Sequence, residues 1–230
     1  MIVVENLVKT FKDHRAVDGL DLSVQAGEVY ALLGGNGAGK TTTIHLLLGL
    51  IEPDSGTIRI DGVDVKPGVR PKAAFVPEVV ELYPDLTPLE TLELFASVAS
   101  VDVGAEAMKQ ALLDAGLAAS DHTRRLRVFS KGMRQKVALA IAQIQGARAL
   151  LLDEPTSGLD PRAASQLLDR LAALKAEGAA ILMSTHDVYT VSAVADRIGI
   201  LREGRLVDER DKTQLGDRDV ATWYRETMGG

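Results

Sequence analysis

The stretch VYALLGGNGAGKTT, residues 29–42, decides the fold of this chain of 230 residues. Within it, Gly34 to Thr41 match G-x-x-x-x-G-K-S/T, the pattern of a loop that binds the phosphates of a nucleoside triphosphate. The apolar run Val29 to Leu33 predicts a buried strand before the loop, and residues Thr42 to Leu50 predict a helix after it. A strand, a glycine-rich loop and a helix in this order are the setting in which the motif binds phosphate.

The loop offers the groups that phosphate oxygens need. Glycines allow successive backbone N–H groups to turn toward one ligand, and the N-terminus of the following helix adds a partial positive charge. We expect Lys40 to reach the β- and γ-phosphates of a nucleoside triphosphate and the Thr41 hydroxyl to bind Mg²⁺. The alternative, a glycine-rich turn with a surface lysine, does not account for the strand and helix on either side. The predicted nucleotide-binding residues of this stretch are Gly34, Gly35, Asn36, Gly37, Ala38, Gly39, Lys40, Thr41 and Thr42.

The composition restricts the class of protein. Hydrophobic residues make up 46% and charged residues 25% of the chain, which is typical of a soluble globular protein. The net charge of −6 counts against a general nucleic-acid-binding protein, so no nucleic-acid partner is expected. There is no cysteine, which excludes disulfides and cysteine nucleophiles. No apolar run approaches the roughly 18 residues of a membrane helix, so action at a membrane would require another chain.

A second candidate site follows another apolar strand. Leu150 to Leu152 lead directly into Asp153 and Glu154. A carboxylate at the end of such a strand can hold Mg²⁺, which suggests this role for Asp153. Neighbouring strand residues face opposite ways, so Glu154 takes a different position, where it can polarise a water molecule. The alternative is a helix cap or a solvated turn, and the phosphate loop elsewhere in the chain counts against it.

The sequence pattern divides the chain into two lobes. Strand and helix patterns alternate over residues 1–85 and 147–210, which predicts an α/β core that carries the phosphate loop. Residues 86–146 read as helical and begin with Thr87-Pro88-Leu89-Glu90, a helix start with a capping threonine and a glutamate three residues later. Residues 211–230 predict a short C-terminal helix and tail, anchored by Trp223 and Tyr224.

With these motifs, the chain resembles the ATP-binding-cassette (ABC) ATPases over nearly its whole length. Phe129-Ser130-Lys131-Gly132-Met133 stands where the family has its signature, usually LSGGQ. Ser130 and Gly132 match it, Lys131 replaces the first glycine, and Met133 replaces the glutamine. This variant resembles the exporter-type (ABC-2-like) branch. From the residues alone, Ser130 is also a good N-cap, and an ordinary capped helix is the alternative.

The resemblance assigns roles to further residues. Ser157-Gly158-Leu159-Asp160 resembles the D-loop, and Asp160 also fits a helix cap. His186 resembles the switch histidine that contacts the γ-phosphate. Phe11 stands where the family has an aromatic residue that stacks on adenine, and a core phenylalanine is an equal alternative. Glu78 stands at the Q-loop, where the family usually has glutamine, and its carboxylate is a further candidate ligand for Mg²⁺.

The resemblance implies a RecA-like P-loop NTPase core of α/β class, with an antiparallel β edge and an inserted helical subdomain. It also implies a homodimer or heterodimer of cassettes, facing head to tail, with each ATP between the phosphate loop of one chain and the signature of the other. Lys40, Mg²⁺ and His186 would neutralise phosphate charge while Glu154 orients the attacking water.

The expected function is ATP hydrolysis that energises a membrane exporter. The chain would work in the cytoplasm, peripherally on the cytoplasmic face of the membrane, with a separate membrane-spanning permease as its partner. The alternative is a soluble ABC ATPase with a role in translation or in a non-transport assembly. A regulator without catalysis is less consistent with the presence of Lys40, Asp153, Glu154 and His186.

Overall fold

The computed structural model describes residues 1–66, 72–215 and 219–229. The strands are β1 (Ile2–Phe11), β2 (His14–Val24), β3 (Val29–Leu33), β4 (Ser55–Ile60), β5 (Val63–Asp64), β6 (Ala73–Val76), β7 (Ala149–Asp153), β8 (Ala180–Thr185), β9 (Arg197–Arg202) and β10 (Arg205–Asp211). The helices are α1 (Lys40–Leu47), α2 (Pro88–Ala99), α3 (Ala105–Asp114), α4 (Lys131–Ile144), α5 (Pro161–Ala176), α6 (Val188–Val194) and α7 (Val220–Met228).

The central sheet brings together the strands that precede the predicted site residues. Its order in the described residues is β10-β9-β3-β8-β7-β6, and β3, β6, β7, β8 and β9 run parallel. Every residue of β3, β7 and β8 is buried, which explains their continuous apolar runs. Because the strands are parallel, the segments that follow them meet at one edge of the sheet. The phosphate loop, Glu154 and His186 are therefore neighbours in the fold.

A second, antiparallel sheet covers one face of the core. Its order is β2-β1-β4-β5. A hydrophobic cluster joins the two sheets and α1, and it includes Leu7, Leu22, Leu32, Ile44 and Leu151. This sheet confirms the predicted antiparallel β edge on an α/β core.

Helices α2, α3 and α4 occupy the region predicted to be helical. The capping box at the start of α2 is present, since the Thr87 side chain accepts from the Glu90 N–H and the Glu90 carboxylate accepts from the Thr87 N–H. Leu92 and Leu112 of these helices belong to one hydrophobic cluster with Leu150 of the central sheet. The helical region thus packs directly on the core, and the division into separate lobes stays a prediction.

The structure also shows the bounds of the helix after the phosphate loop and the packing of the C-terminal helix. The helix predicted over residues 42–50 begins at Lys40 and ends at Leu47, because Gly39 and Gly49 have left-handed φ values of 107° and 66° on either side. In the C-terminal helix α7, Trp223 is buried and its indole N–H donates to Asp208, at 2.8 Å. Trp223 therefore anchors the helix as predicted, with Tyr224 partly buried beside it.

Candidate functional site

The phosphate loop is a tight turn between β3 and α1. Gly39 has a left-handed φ of 107°, and a Cβ atom there would lie 2.3 Å from the carbonyl oxygen of Ala16. A Cβ atom at Gly34 would lie 2.5 Å from the carbonyl oxygen of Leu201. Both distances are too short for any side chain, so the packing of β2 and β9 against the loop requires glycine at these two positions.

Lys40 extends into the loop. Its amine donates to the carbonyl oxygens of Gly34, at 2.7 Å, and Gly35, at 3.2 Å. The same amine lies 3.4 Å from Oε1 of Glu154. Lys40 is almost fully buried, so its charge acts in a partly dry environment where ionic contacts are strong. This places a fixed positive charge where the motif requires one.

Asp153, at the end of β7, accepts hydrogen bonds from side chains of α1 and β8. The Thr41 hydroxyl donates to Oδ2 of Asp153, at 2.9 Å, and the Ser184 hydroxyl donates to Oδ1. A hydroxyl and a carboxylate are the oxygen ligands that Mg²⁺ prefers, so Thr41 and Asp153 fit a magnesium site by their chemistry. Ser184 was missed in the sequence, and the only signal was its register, because Ser184 pairs with Asp153 across β7 and β8.

Glu154 is held in a strained backbone conformation. Its φ is 45°, in the left-handed region that residues with a side chain rarely adopt, at a cost of about 1–3 kcal/mol. Its N–H donates to the Ser184 carbonyl, at 3.0 Å. The carboxylate accepts from Nδ1 of His186, at 2.9 Å, and from the His186 backbone N–H, at 3.3 Å. The strained turn thus brings one carboxylate between Lys40 and His186.

The signature segment packs on the predicted D-loop. The Ser130 hydroxyl accepts from the Met133 N–H, which confirms Ser130 as the N-cap of α4. A Cβ atom at Gly132 would lie 3.6 Å from the Leu159 side chain, and the Lys131 side chain lies close to Gly158. In the described part of the chain, these signature residues are not among those lining the phosphate-loop cleft. The signature therefore does not line the phosphate-loop cleft of its own chain.

Comparison with known proteins identifies this arrangement. A family model described as ABC transporter matches residues 17–157, more than half of the chain. The chain belongs to the ABC transporter family. The cassette is 39% identical over 228 residues to the Nod factor export ATP-binding protein I of Burkholderia lata, covering 97% of the cassette and 75% of that protein. It is 38% identical over 218 residues to the daunorubicin/doxorubicin resistance ATP-binding protein DrrA of Streptomyces peucetius, covering 93% and 66%.

Solved structures agree. An ATP-binding subunit of an ABC transporter superposes with a TM-score of 0.86 and 32% identity, over 99% of both chains. A dimeric cassette in a post-hydrolysis state, bound to ADP and Pi, superposes with a TM-score of 0.81 and 25% identity, over 92% of this chain and 98% of that one. The RecA-like P-loop fold and the resemblance to the exporter-type branch are confirmed. The cassette is the ATP-binding, ATP-hydrolysing subunit of an ABC transporter, and such cassettes dimerise.

Within the cassette, Phe11 lies at the nucleotide cleft. Its side chain is 46% exposed, so the alternative of a core phenylalanine is wrong. Phe11 and His14 line the same cleft as the phosphate loop, Glu78 and Glu154. Stacking of Phe11 on adenine stays a prediction, and the position of the ring at the phosphate-loop cleft is consistent with it.

Glu78 makes a contact that the sequence did not predict. Its Oε1 accepts from the Ser157 hydroxyl, at 2.8 Å, which joins the Q-loop position to the D-loop.

Asp160 accepts from the Ala163 N–H, at 2.9 Å, so its role as the cap of α5 is confirmed. Over the ranges 1–66, 72–215 and 219–229, no group of three or more His, Cys, Asp or Glu side chains is arranged to hold a metal ion. The assignment of Glu78 to Mg²⁺ stays a prediction.

None of the helices in the described ranges is long and apolar enough to cross a membrane.

Proposed function

We propose that this cassette energises an exporter, and that it hydrolyses ATP with Lys40, Thr41, Asp153, Glu154 and His186 as the working residues. The observation that supports this most is the position of the Glu154 carboxylate, which contacts both Lys40 and His186. The loop, the two acids and the histidine come from three different strand ends of one sheet.

Each residue has a role that follows from its chemistry. Lys40 supplies a positive charge to the β- and γ-phosphates, and the backbone N–H groups of the loop bind the same oxygens. Thr41 and Asp153 would hold Mg²⁺, which neutralises phosphate charge when bound. Glu154 accepts a hydrogen bond from the attacking water and orients it for in-line displacement. His186 keeps the Glu154 carboxylate in place and presents its half-exposed ring to the γ-phosphate.

The assembly proposed is a pair of cassettes, identical or different, with a separate membrane-spanning permease. Ser130, Lys131, Gly132 and Met133 of one cassette would contact the ATP held by the phosphate loop of the other. ATP then stabilises the closed pair by binding at the interface, and hydrolysis releases it. The cassette would lie on the cytoplasmic face of the membrane, attached through the permease.

Export is the direction of transport that the relatives favour. Proteins named for Nod factor export and for daunorubicin and doxorubicin resistance align with nearly the whole cassette. The signature variant at Lys131 and Met133 supports the same branch.

The test is to purify the tagged cassette from its native membrane, identify the permease that accompanies it, and reconstitute both in vesicles. ATP should drive movement of a substrate away from the cassette side, and Lys40→Ala should abolish this movement while the complex still assembles. Recovery of a ribosome or a soluble assembly in place of a permease would contradict the proposal.

A further inference from the structure

A buried amide on α4 contacts the segment that carries Glu154. Gln135 is 1% exposed, and its Nε2 donates to the carbonyl oxygen of Pro155, at 2.6 Å. A carbonyl oxygen only accepts hydrogen bonds, so the amide nitrogen must face Pro155 and the amide orientation is determined. Pro155 follows Glu154 directly in the chain.

The amide is buried beside a small cavity. Gln135 lines this cavity with apolar residues such as Leu139 and with the polar side chains of Gln166 and Arg170. The other amide atom, Oε1 of Gln135, is buried without a hydrogen-bond partner among the described residues. An apolar side chain of similar size would fill this position without burying an unpaired oxygen. What the glutamine supplies, and an apolar residue would not, is the hydrogen bond to Pro155.

The carbonyl of Pro155 lies next to the strained residue of the site. A left-handed φ at a residue with a side chain persists only where the surroundings fix it. Two backbone contacts fix Glu154 itself, namely its N–H to the carbonyl of Ser184 on β8 and its carbonyl to the Ser157 N–H, at 3.0 and 3.1 Å. The contact from Gln135 comes from a different element, the helix that begins at the signature.

We propose that Gln135 is a positioning residue for the Glu154 carboxylate. It holds the peptide between Pro155 and Thr156 against α4, so that the Glu154 carboxylate stays between Lys40 and His186. Since Ser130 caps the same helix, this hydrogen bond also connects the signature segment to the base of the same chain. The proposal rests on the proposed role of Glu154 in hydrolysis.

The first variant is Gln135→Met, which keeps the size of the side chain and removes the donor. Single-turnover hydrolysis of Mg·ATP at saturating concentration should slow by about 10- to 100-fold, since small displacements of a catalytic group have effects of this size. The dissociation constant for ATP should stay within about twofold, because the phosphate loop is intact. Gln135→Leu, which also lacks a donor and introduces no buried charge, should be equally slow, and it serves if the Met variant fails to fold.

The matched control is Gln143→Met, on the same helix. Gln143 is partly buried, donates to Asp114 and accepts from Arg170, so the Met variant removes two side-chain hydrogen bonds of α4 away from Pro155. Its hydrolysis rate should stay within about twofold of wild type. A loss equal to that of Gln135→Met would mean that any polar defect in α4 has this effect, and it would overturn the proposal.

A double variant separates positioning from general damage. If Gln135 acts through Glu154, then adding Gln135→Met to Glu154→Gln should cause no further loss of rate. A multiplicative loss, or a wild-type rate in a folded Gln135→Met or Gln135→Leu protein, would overturn the inference while leaving Glu154 as the base. A wild-type rate in Glu154→Gln itself would overturn both the role of Glu154 and the inference.

Discussion

Nδ1 of His186 lies 2.9 Å from Oε1 of Glu154, while the backbone N–H of His186 donates to the other carboxylate oxygen, at 3.3 Å. A carboxylate only accepts hydrogen bonds, so Nδ1 carries the proton in this contact. His186, which directly follows β8, therefore holds both carboxylate oxygens of Glu154, which directly follows β7.

His186→Ala should therefore lower the rate of ATP hydrolysis by about 100-fold, because it removes the proposed contact to the γ-phosphate and frees the carboxylate of Glu154. ATP affinity should change little, and this is measured by nucleotide titration alongside single-turnover kinetics. His45→Ala, on α1, is the control. A His186→Ala protein with full activity would exclude the histidine from the mechanism.

Glu78→Ala should change the stimulation of ATPase activity by the permease more than it changes ATP affinity. The variant removes the hydrogen bond from Ser157, which joins the segment after β6 to the D-loop. Glu78→Gln keeps an acceptor for the Ser157 hydroxyl and should behave nearly as wild type. The measurement is the ATPase rate with and without the reconstituted permease. Equal stimulation in all three proteins would assign no coupling role to Glu78.

Gly199→Ala should destabilise the protein by about 1–3 kcal/mol through overpacking. A Cβ atom at Gly199 would lie 2.2 Å from the Tyr30 hydroxyl, which donates to Glu209. Burial, and then the charge of Glu209, raises the pKa of Tyr30 well above its ordinary value, so the hydroxyl stays protonated and in place.

Urea unfolding measures this loss. Gly104→Ala is the control, because no atom lies within 4 Å of a Cβ at that position. The control should lose less than about 1 kcal/mol. Equal stability of the two variants would show that the core around Tyr30 relaxes freely.

Asp208→Asn should weaken the docking of α7 at neutral pH by about 1 kcal/mol. Burial alone would raise the pKa of Asp208, but the hydrogen bonds from Trp223 and Arg210 and the charge of Arg210 lower it overall. A carboxyl with a lowered pKa stabilises the folded state above its unfolded pKa of about 3.9, and this contribution is lost as pH falls through the folded value.

The chain has a single tryptophan, so the fluorescence of Trp223 reports this docking directly. The difference between wild type and Asp208→Asn in unfolding free energy should be full at pH 7 and shrink as the solution becomes more acidic than the unfolded pKa. A difference that grows on acidification would contradict the assignment.

Much of the site follows from the sequence because its strands are parallel and fully buried. Such strands appear as continuous apolar runs, and the residues after them meet at one edge, which is why the sequence made Lys40, Asp153 and Glu154 candidates for one site. His186 became a candidate through the family resemblance. The capping box at Thr87 and the N-caps at Ser130 and Asp160 depend on local sequence and could also be predicted.

The contacts that the sequence did not predict depend on packing between distant segments. Ser184 is 31 residues from Asp153, Gln135 is 20 residues from Pro155, and Ser157 is 79 residues from Glu78. Each requires strand register or helix placement, which periodicity does not define. The exposure of Phe11 has the same origin, since an apolar residue at the end of β1 faces either the core or the cleft according to the turn that follows it.

Cross-linking of the Glu154→Gln protein tests most directly whether ATP joins two cassettes between phosphate loop and signature. The natural chain has no cysteine, so Asn36→Cys in the exposed loop and Ser130→Cys at the signature introduce the only thiols. Glutamine retains the shape of the base but not its charge, so ATP should remain bound and unhydrolysed. With both cysteines present, Mg·ATP should give a cross-linked dimer that Mg·ADP, each single-cysteine variant and Lys40→Ala do not give. No dimer in ATP, or the same yield in ADP, would contradict the account.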